Sequence, residues 1–162
     1  MKNFEGPIEP NEDKQKEAER FVSKVIKELR ERNEALRHII LGEGPIGDRE
    51  AITVINGLRN LVGCMEKSQT ESKELQAEYS KIMENPRMNQ LMIELFITSH
   101  SLISQGILKV HDSFLNLNLD NQVLENLEDI IRYFRYASSR LEHQPLEQVL
   151  TDLDIWIADR ER

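Results

Sequence analysis

Apolar residues recur at spacings of three and four through nearly the whole chain, and this periodicity limits the fold more than any other feature. On an α-helix such spacings place side chains on one stripe, whereas a half-buried strand needs strict alternation. In the first long segment the stripe comprises Ala18, Phe21, Val22, Val25, Ile26, Leu29, Leu36, Ile39 and Ile40. The pattern predicts an all-α protein.

Helix-starting and helix-ending residues divide the pattern into five helices. The predicted bounds are residues 12–41, 48–84, 86–115 and 121–143, with a last helix from Pro145. Asn85-Pro86 is the clearest boundary, because proline disfavours the helical region for the residue before it and suits the first helical position. The second helix would be about 55 Å long if continuous. Its middle, residues 66–74, lacks apolar anchors, which leaves a kink or a projecting segment open.

Short connections between long amphipathic helices favour antiparallel neighbours. We therefore predict an antiparallel helical bundle of four long helices plus a short C-terminal helix, formed by residues 12–162 as a single domain. The chain of 162 residues has the usual size of one domain. Residues 1–11, with two prolines and a glycine, are predicted to be a flexible N-terminal arm. The near-heptad of the first helix favours self-association, in which Arg32 would be a polar register residue.

The stretch Gly42 to Gly47 matches the dinucleotide-binding pattern G-x-G-x-x-G. That site requires a preceding strand and backbone amides that face the phosphates. Here the preceding residues have helical spacing, Pro45 lacks an amide proton, and Glu43 would repel phosphate. We predict a corner between helices instead, in which Gly42 ends the first helix in the left-handed conformation and Asp48 caps the second.

The charge balance and the single cysteine limit the classes of partner and compartment. A formal net charge of -8, from 29 acidic and 21 basic residues, disfavours general nucleic-acid binding. One cysteine, Cys64, cannot form an internal disulfide, and the N-terminus has no apolar leader, so cytoplasmic residence is expected. No membrane insertion is expected, because the most apolar stretch carries Glu94 and His100.

Residues suited to catalysis or metal binding are not clustered along the chain. His38, His100, His111 and His143 do not occur at the spacings used by helical metal sites. A catalytic role for Cys64 would need a histidine brought close by the fold. The sequence therefore predicts a non-enzymatic protein with no catalytic, cofactor-binding or metal-binding residues.

One basic and aromatic cluster suggests a contact surface. Arg132, Tyr133, Tyr136 and Arg140 group on the helix face opposite the apolar stripe of the fourth helix. Tyrosine and arginine are enriched at interface hot spots, so these four residues are the predicted partner-binding site. An ordinary surface ion pair between Glu128 and Arg132, together with packing against the first or fifth helix, would explain the same residues.

A second candidate surface is a row of small side chains on the second helix, Thr53, Gly57 and Cys64. Such a row lets another helix approach closely.

The function expected from these features is helix-face binding by an adaptor, assembly chaperone or regulator, with a protein partner and a homodimer as the expected contacts. The alternative is a small-molecule sensor with a ligand pocket between helices, where Ser99 and Gly106 would leave room.

Overall fold

A computed structural model describes residues 12–138 and 146–160, which form helices and contain no strand. The helices are α1 (Glu12–Ile40), α2 (Asp48–Glu74), α3 (Gln76–Met83), α4 (Pro86–Ser113), α5 (Asn121–Ser138) and α6 (Glu147–Arg160). A single 3-10 turn, Phe114–Asn116, follows α4. The predicted all-α class is confirmed. The predicted N-terminal arm, the predicted helix end at His143 and the predicted helix start at Pro145 lie outside the described residues.

The corner between α1 and α2 has the predicted bounds but different backbone details. Gly44, not Gly42, has the left-handed backbone, with φ of 85°. Gly47 occupies the N-cap of α2 without a side-chain cap, so the predicted capping role of Asp48 is wrong. The Asp48 carboxylate instead accepts a hydrogen bond from the backbone N–H of Asn118 at 2.8 Å. Asp48 thereby ties the start of α2 to the connection before α5.

The same corner is held against α4 by side chains of that helix. Lys109 donates hydrogen bonds to the backbone carbonyls of Gly42 and Gly44. The Ser113 hydroxyl accepts one from the backbone N–H of Ile46 at 2.9 Å. The carbonyl oxygens of Gly42 and Gly44 therefore point towards the Lys109 ammonium group. These hydrogen bonds and the bond to Ser113 hold the corner against α4.

The long second helix predicted over residues 48–84 is two helices in the structure. α2 continues through residues 66–74, and the backbone leaves the helical region at Leu75, with φ of -111° and ψ of 34°. The buried Leu75 side chain is the apolar anchor that the preceding turns lack. The change of direction lets α3 lie against α1 and α4, with the rings of Phe21 and Tyr79 6.2 Å apart.

The start of α4 has the predicted geometry. The Asn85 side chain accepts hydrogen bonds from the backbone N–H groups of Arg87 at 3.0 Å and Met88 at 3.2 Å, and Pro86 occupies the first helical position. These bonds satisfy two of the N–H groups that a helix start leaves without an intrahelical acceptor.

α1 and α2 run antiparallel, whereas two lateral pairs of helices run parallel. In α1 and α2, Leu36 lies beside Gly57, and Glu28 lies beside Cys64. Across α1 and α4, Asn33 is hydrogen-bonded to Ser99, and Ile40 lies beside Gly106. α1 and α2 are therefore antiparallel, because residue numbers fall along α2 as they rise along α1. α1 and α4 are parallel, because the residue numbers rise together along both helices.

The pair formed by α2 and α5 is parallel in the same way. Asn56 accepts a hydrogen bond from Asn126 at 2.9 Å, and Arg59 donates one to Asp129 at 3.1 Å. The α1–α2 hairpin thus lies beside the α4–α5 hairpin with like-directed helices adjacent, which is how helix pairs stack in repeat-type α folds. The helical bundle is confirmed, but these contacts do not confirm a wholly antiparallel order. A short corner determines the relative direction of the two helices that it joins, but not the direction of helices that are not consecutive.

α4 occupies the centre of the fold. It contacts α1, α2, α3, α5 and α6, while the main helix contacts of α6 within the described ranges are with α4 and α5. The largest fully buried side chains are Leu29, Ile55, Leu58, Leu61, Ile103, Ile107, Leu124, Leu127, Ile130, Ile131, Phe134 and Leu153. By length and composition alone, residues 86–116 are the one described segment that could span a membrane, and a central core helix meets the same criterion.

Candidate functional site

The structure separates the four residues of the predicted partner-binding cluster. Arg132 and Tyr136 are exposed on α5, and the Arg132 guanidinium is 3.1 Å from the Asp129 carboxylate. Tyr133 is only 9% exposed, and its hydroxyl lies 3.8 Å from the Met65 sulfur. Burial raises the pKa of the Tyr133 hydroxyl. Arg140 lies outside the described residues.

The placement of Tyr133 on an exposed face is therefore wrong. α5 packs against α2, α4 and α6, so its buried arc is wider than the stripe read from the sequence. Arg132 and Tyr136 remain a surface pair one helical turn apart, and their role in partner binding stays a prediction.

The row of small side chains on α2 serves packing inside the fold. A Cβ atom at Gly57 would lie 2.4 Å from the Cδ2 atom of Leu36, so this glycine lets α1 approach closely. The Cys64 thiol donates a hydrogen bond to Glu28 of α1 at 3.3 Å. Burial, followed by the neighbouring Glu28, raises the thiol pKa to about 11. Because the thiolate is the nucleophilic form, Cys64 is unreactive near neutral pH.

The two positions predicted to leave room for a ligand are filled. The Ser99 hydroxyl donates to the backbone carbonyl of Leu95 at 2.7 Å and also contacts the side-chain amide of Asn33. A Cβ atom at Gly106 would lie 2.5 Å from the Cδ1 atom of Leu58. Both residues thus bring neighbouring helices together instead of enclosing space.

Open space lies on the outer surface instead, in a groove between the parallel helices α1 and α4. Its central part has a volume of about 890 Å³. The lining residues of this part are Arg30, Glu31, Asn33, Glu34, Arg37, Leu41, Leu95, Ile97, Thr98, Ser101, Leu102 and Gln105. Adjoining depressions share lining residues with it and extend it to Ser23 at one end and Gly42 at the other. We call the whole feature the α1–α4 groove.

Apolar side chains of α4 line the bottom of the α1–α4 groove, and its α1 wall is largely polar or charged. Leu91, Leu95 and Leu102 contribute from α4, and the hydrogen bond between Asn33 and Ser99 joins the two walls. Ile97, at the rim, is 64% exposed, which is unusual for a large aliphatic side chain. Leu41 is also exposed. Exposed large aliphatic side chains in a groove with polar edges are typical of a binding site.

Two arginines stand on the α1 wall. Arg30 and Arg37 are seven residues apart, so they lie on one side of the helix and about 10 Å apart along its axis. Within residues 12–138 and 146–160, neither guanidinium makes an ion pair or hydrogen bond. The nearby Glu34 carboxylate lies 3.8 Å from the His38 ring. Both arginines are therefore available to an acidic group that enters the groove.

The equivalent surface between α2 and α5 is closed. Asn56 and Asn126 bond across it, and Arg59 pairs with Asp129. The two parallel helix pairs therefore differ in chemistry: polar side chains join α2 to α5 near the surface, whereas α1 and α4 leave apolar side chains exposed between them.

Groups suited to metal binding do not converge in the part of the chain that the structure describes. Among these residues, no three His, Cys, Asp or Glu side chains are close enough to share an ion. His111 bonds to Asp152 at 3.0 Å and stacks on Phe114, which places it in the contact between α4 and α6.

Sequence reasoning missed the α1–α4 groove, although one signal for it was present. Ile97 is a large aliphatic residue of α4 that falls outside its buried stripe and lines the groove. Such a residue on the polar side of a helix indicates a surface that is covered by something else. Only the parallel packing of α1 shows that Arg30 and Arg37 flank Ile97.

Comparison with family models, with curated proteins and with solved structures finds no match to this chain.

Proposed function

We propose that this is a non-enzymatic interaction protein, an adaptor, assembly chaperone or regulator of the cytoplasm, which binds a protein partner in the α1–α4 groove. The observation that carries the proposal is the exposed apolar surface around Ile97 and Leu41, flanked by Arg30 and Arg37. Desolvated aliphatic groups with arginine at their edge are the composition of an interface centre. The surface pair Arg132 and Tyr136 on α5 is a second, smaller candidate.

A matched pair of substitutions tests this function. Ile97 and Ile155 are similarly exposed, at 64% and 58%, but Ile155 lies on α6, outside the groove. We expect Ile97→Asp to reduce partner recovery at least about tenfold, because the substitution removes an apolar contact and places a carboxylate that must lose its water in the interface. Ile155→Asp should leave recovery unchanged. Quantitative affinity purification from the native host, with equal amounts of folded bait, measures both.

One result of the affinity purification would contradict the proposed binding surface. If every co-purifying protein is recovered to the same extent with Ile97→Asp and with the wild-type chain, the groove is not the binding surface. Arg132→Ala combined with Tyr136→Ala would then test the α5 surface in the same assay.

Self-association is examined with the same variants. Light scattering coupled to size-exclusion chromatography counts chains, and a homodimer formed through the groove should dissociate with Ile97→Asp but persist with Ile155→Asp.

A small-molecule sensor is the second candidate, and the groove's volume favours it. Ligand sites commonly enclose about 300–1,000 Å³, and the central part of the groove, at about 890 Å³, falls within that range. Native mass spectrometry of protein purified from the host would show a bound compound as a discrete added mass. The mass should disappear with Ile97→Asp if the compound occupies the groove.

A further inference from the structure

We infer that the partner segment is an amphipathic α-helix with an apolar stripe and two carboxylates seven residues apart at the edge of that stripe. This inference rests on the proposed docking function and specifies the chemistry of its partner.

The dimensions of the groove suit a helix. It follows α1 from Ser23 to Leu41, which corresponds to about 27 Å along the helix axis. Its two walls are parallel helices, so a third helix can lie lengthwise between them, in the manner of helix-in-groove recognition. A segment of about 18 residues would fill that length in helical form.

The apolar contacts define one face of the partner. Ile26, Leu91 and Leu95 lie towards one end of the groove, and Leu102 and Leu41 lie towards the other. A helix that contacts residues along this whole length needs apolar side chains at intervals of three and four, repeated over several turns.

The arginines define the edge of that face. Arg30 and Arg37 are two helical turns apart, and carboxylates at positions i and i+7 of a helix have the same axial separation, about 10 Å. A guanidinium binds a carboxylate through two parallel hydrogen bonds. Two such pairs would therefore orient the partner helix in the groove as well as attract it. A helix with lysines at the same positions would place like charges together.

The acidic character of the whole chain does not outweigh this local match. The formal net charge is -8. At physiological ionic strength, however, the screening length is about 8 Å, so groups that contact the ligand dominate its binding. Two carboxylates, Glu31 and Glu34, also line the groove. Both lie farther around α1 from α4 than Arg30 and Arg37, and the Glu34 carboxylate is 3.8 Å from the His38 ring.

The test uses two synthetic peptides and the full-length protein. Both are fluorescein-labelled, about 18 residues long, and share one leucine stripe. One carries glutamates at positions i and i+7 beside the stripe, and the other carries lysines there. Fluorescence anisotropy measures both affinities at near-physiological salt. We expect the glutamate peptide to bind at least about tenfold more tightly than the lysine peptide.

Charge reversal provides the decisive comparison. The double variant Arg30→Glu with Arg37→Glu should invert the preference and favour the lysine peptide. The matched control is Arg49→Glu with Lys73→Glu, which changes the net charge equally on exposed helix positions outside the groove. The control should keep the preference of the wild-type chain. Circular dichroism confirms that each variant is folded.

Other outcomes overturn the inference without ambiguity. Equal binding of both peptides, or a preference that survives the charge reversal, excludes the two arginines as the specificity element. If neither peptide binds while native-partner recovery still depends on Ile97, the docking function stands and the helical acidic partner is wrong. If a peptide displaces a second copy from an Ile97-dependent dimer, the groove's own occupant is that copy, and the inference fails. Peptide binding unaffected by Ile97→Asp would contradict both proposals.

Discussion

At the scale of single residues, small side chains set how closely the helices approach. Gly57 admits Leu36 of α1, and Gly106 admits Leu58 of α2. The sequence analysis recognised both glycines as small positions but assigned them to an external helix and to a ligand. Their partners lie 21 residues or more away in the chain, so only the tertiary packing identifies what fills the space.

Alanine substitutions at two helical glycines should have opposite effects. At Gly63 the nearest neighbour of an added Cβ, an Arg59 nitrogen, lies at 3.4 Å, an ordinary contact. Gly63→Ala should therefore stabilise the fold by up to about 1 kcal/mol through helix propensity. At Gly57 the added Cβ would lie 2.4 Å from the buried Leu36 side chain. The resulting overpacking should cost about 1–3 kcal/mol, which exceeds the stabilisation expected from helix propensity.

Urea denaturation of both variants measures these changes in the free energy of unfolding. In a Leu36→Ala background the penalty at Gly57 should vanish, since the obstructing side chain is gone. A penalty that persists there would mean that Gly57 is required for another reason.

The tyrosines of α5 should differ sharply in their contribution to stability. Tyr133→Ala removes a buried ring and should cost about 3 kcal/mol or more, whereas Tyr136→Ala, at a position 69% exposed, should change stability by less than about 0.5 kcal/mol. Tyr133→Phe is the control, because it keeps the packing and loses only the hydroxyl beside Met65. Similar midpoints for the two alanine variants in thermal denaturation would contradict the burial difference.

At the scale of elements, the boundaries of helices can be predicted from the sequence more reliably than the contacts between helices. The Asn85-Pro86 boundary follows from local rules of capping and proline geometry. The end of α1 at Ile40 and the start of α2 at Asp48 lie where the glycine-rich corner predicts them, although the predicted caps are wrong. The break at Leu75 does not, because Leu75 is itself a good helix former. It interrupts the helix where its side chain is buried and α3 turns towards α1, a tertiary effect that no local rule contains.

The attachment of α6 should weaken in acid. Hydrogen bonds from His111 and Gln148 lower the pKa of the Asp152 carboxyl below its ordinary value of 3.8. A lowered pKa in the folded state means that this contribution is fully present above the unfolded-state value and is lost as pH falls through the folded-state value. In the Asp152→Asn variant, the weakening of the α6 attachment below about pH 4 should therefore lack the contribution that comes from protonation of this carboxyl.

Trp156 provides the measurement for α6. It is the chain's one tryptophan, and it lies edge-on to Phe114 with the ring centroids 5.7 Å apart. Its emission therefore reports whether α6 is docked. Superimposable acid titrations of the wild-type chain and Asp152→Asn would show that the Asp152 contact does not hold α6.

At the scale of the whole molecule, the parallel pairing of helices was beyond the reach of the sequence. Periodicity shows that a helix has an apolar stripe, and short corners show that consecutive helices run antiparallel. Neither property distinguishes a ring of alternating helices from two hairpins placed side by side. The α1–α4 groove depends on this pairing, whereas the α5 surface was predicted from its arginine and tyrosine composition alone.

The central position of α4 predicts a gradient of local stability. Backbone amides in the middle of α4 should exchange with solvent only through global unfolding, since five other helices cover it. Amides of α3 and α6, which have fewer helical neighbours, should exchange through smaller openings. Hydrogen exchange followed by mass spectrometry measures this order. Faster exchange in α4 than in α6 would contradict the arrangement of helices.

The stacking of the two hairpins also bears on how such a molecule can be enlarged. Partners across α1 and α4 are 66 residues apart in the chain, and partners across α2 and α5 are 70 apart. Each lateral contact thus joins a helix to the one that occupies the same place in the following hairpin. A chain with one more hairpin of this size would gain another pair of parallel walls, and so a further cleft beside the first. In such a chain the contacts between the first two hairpins would remain as they are here.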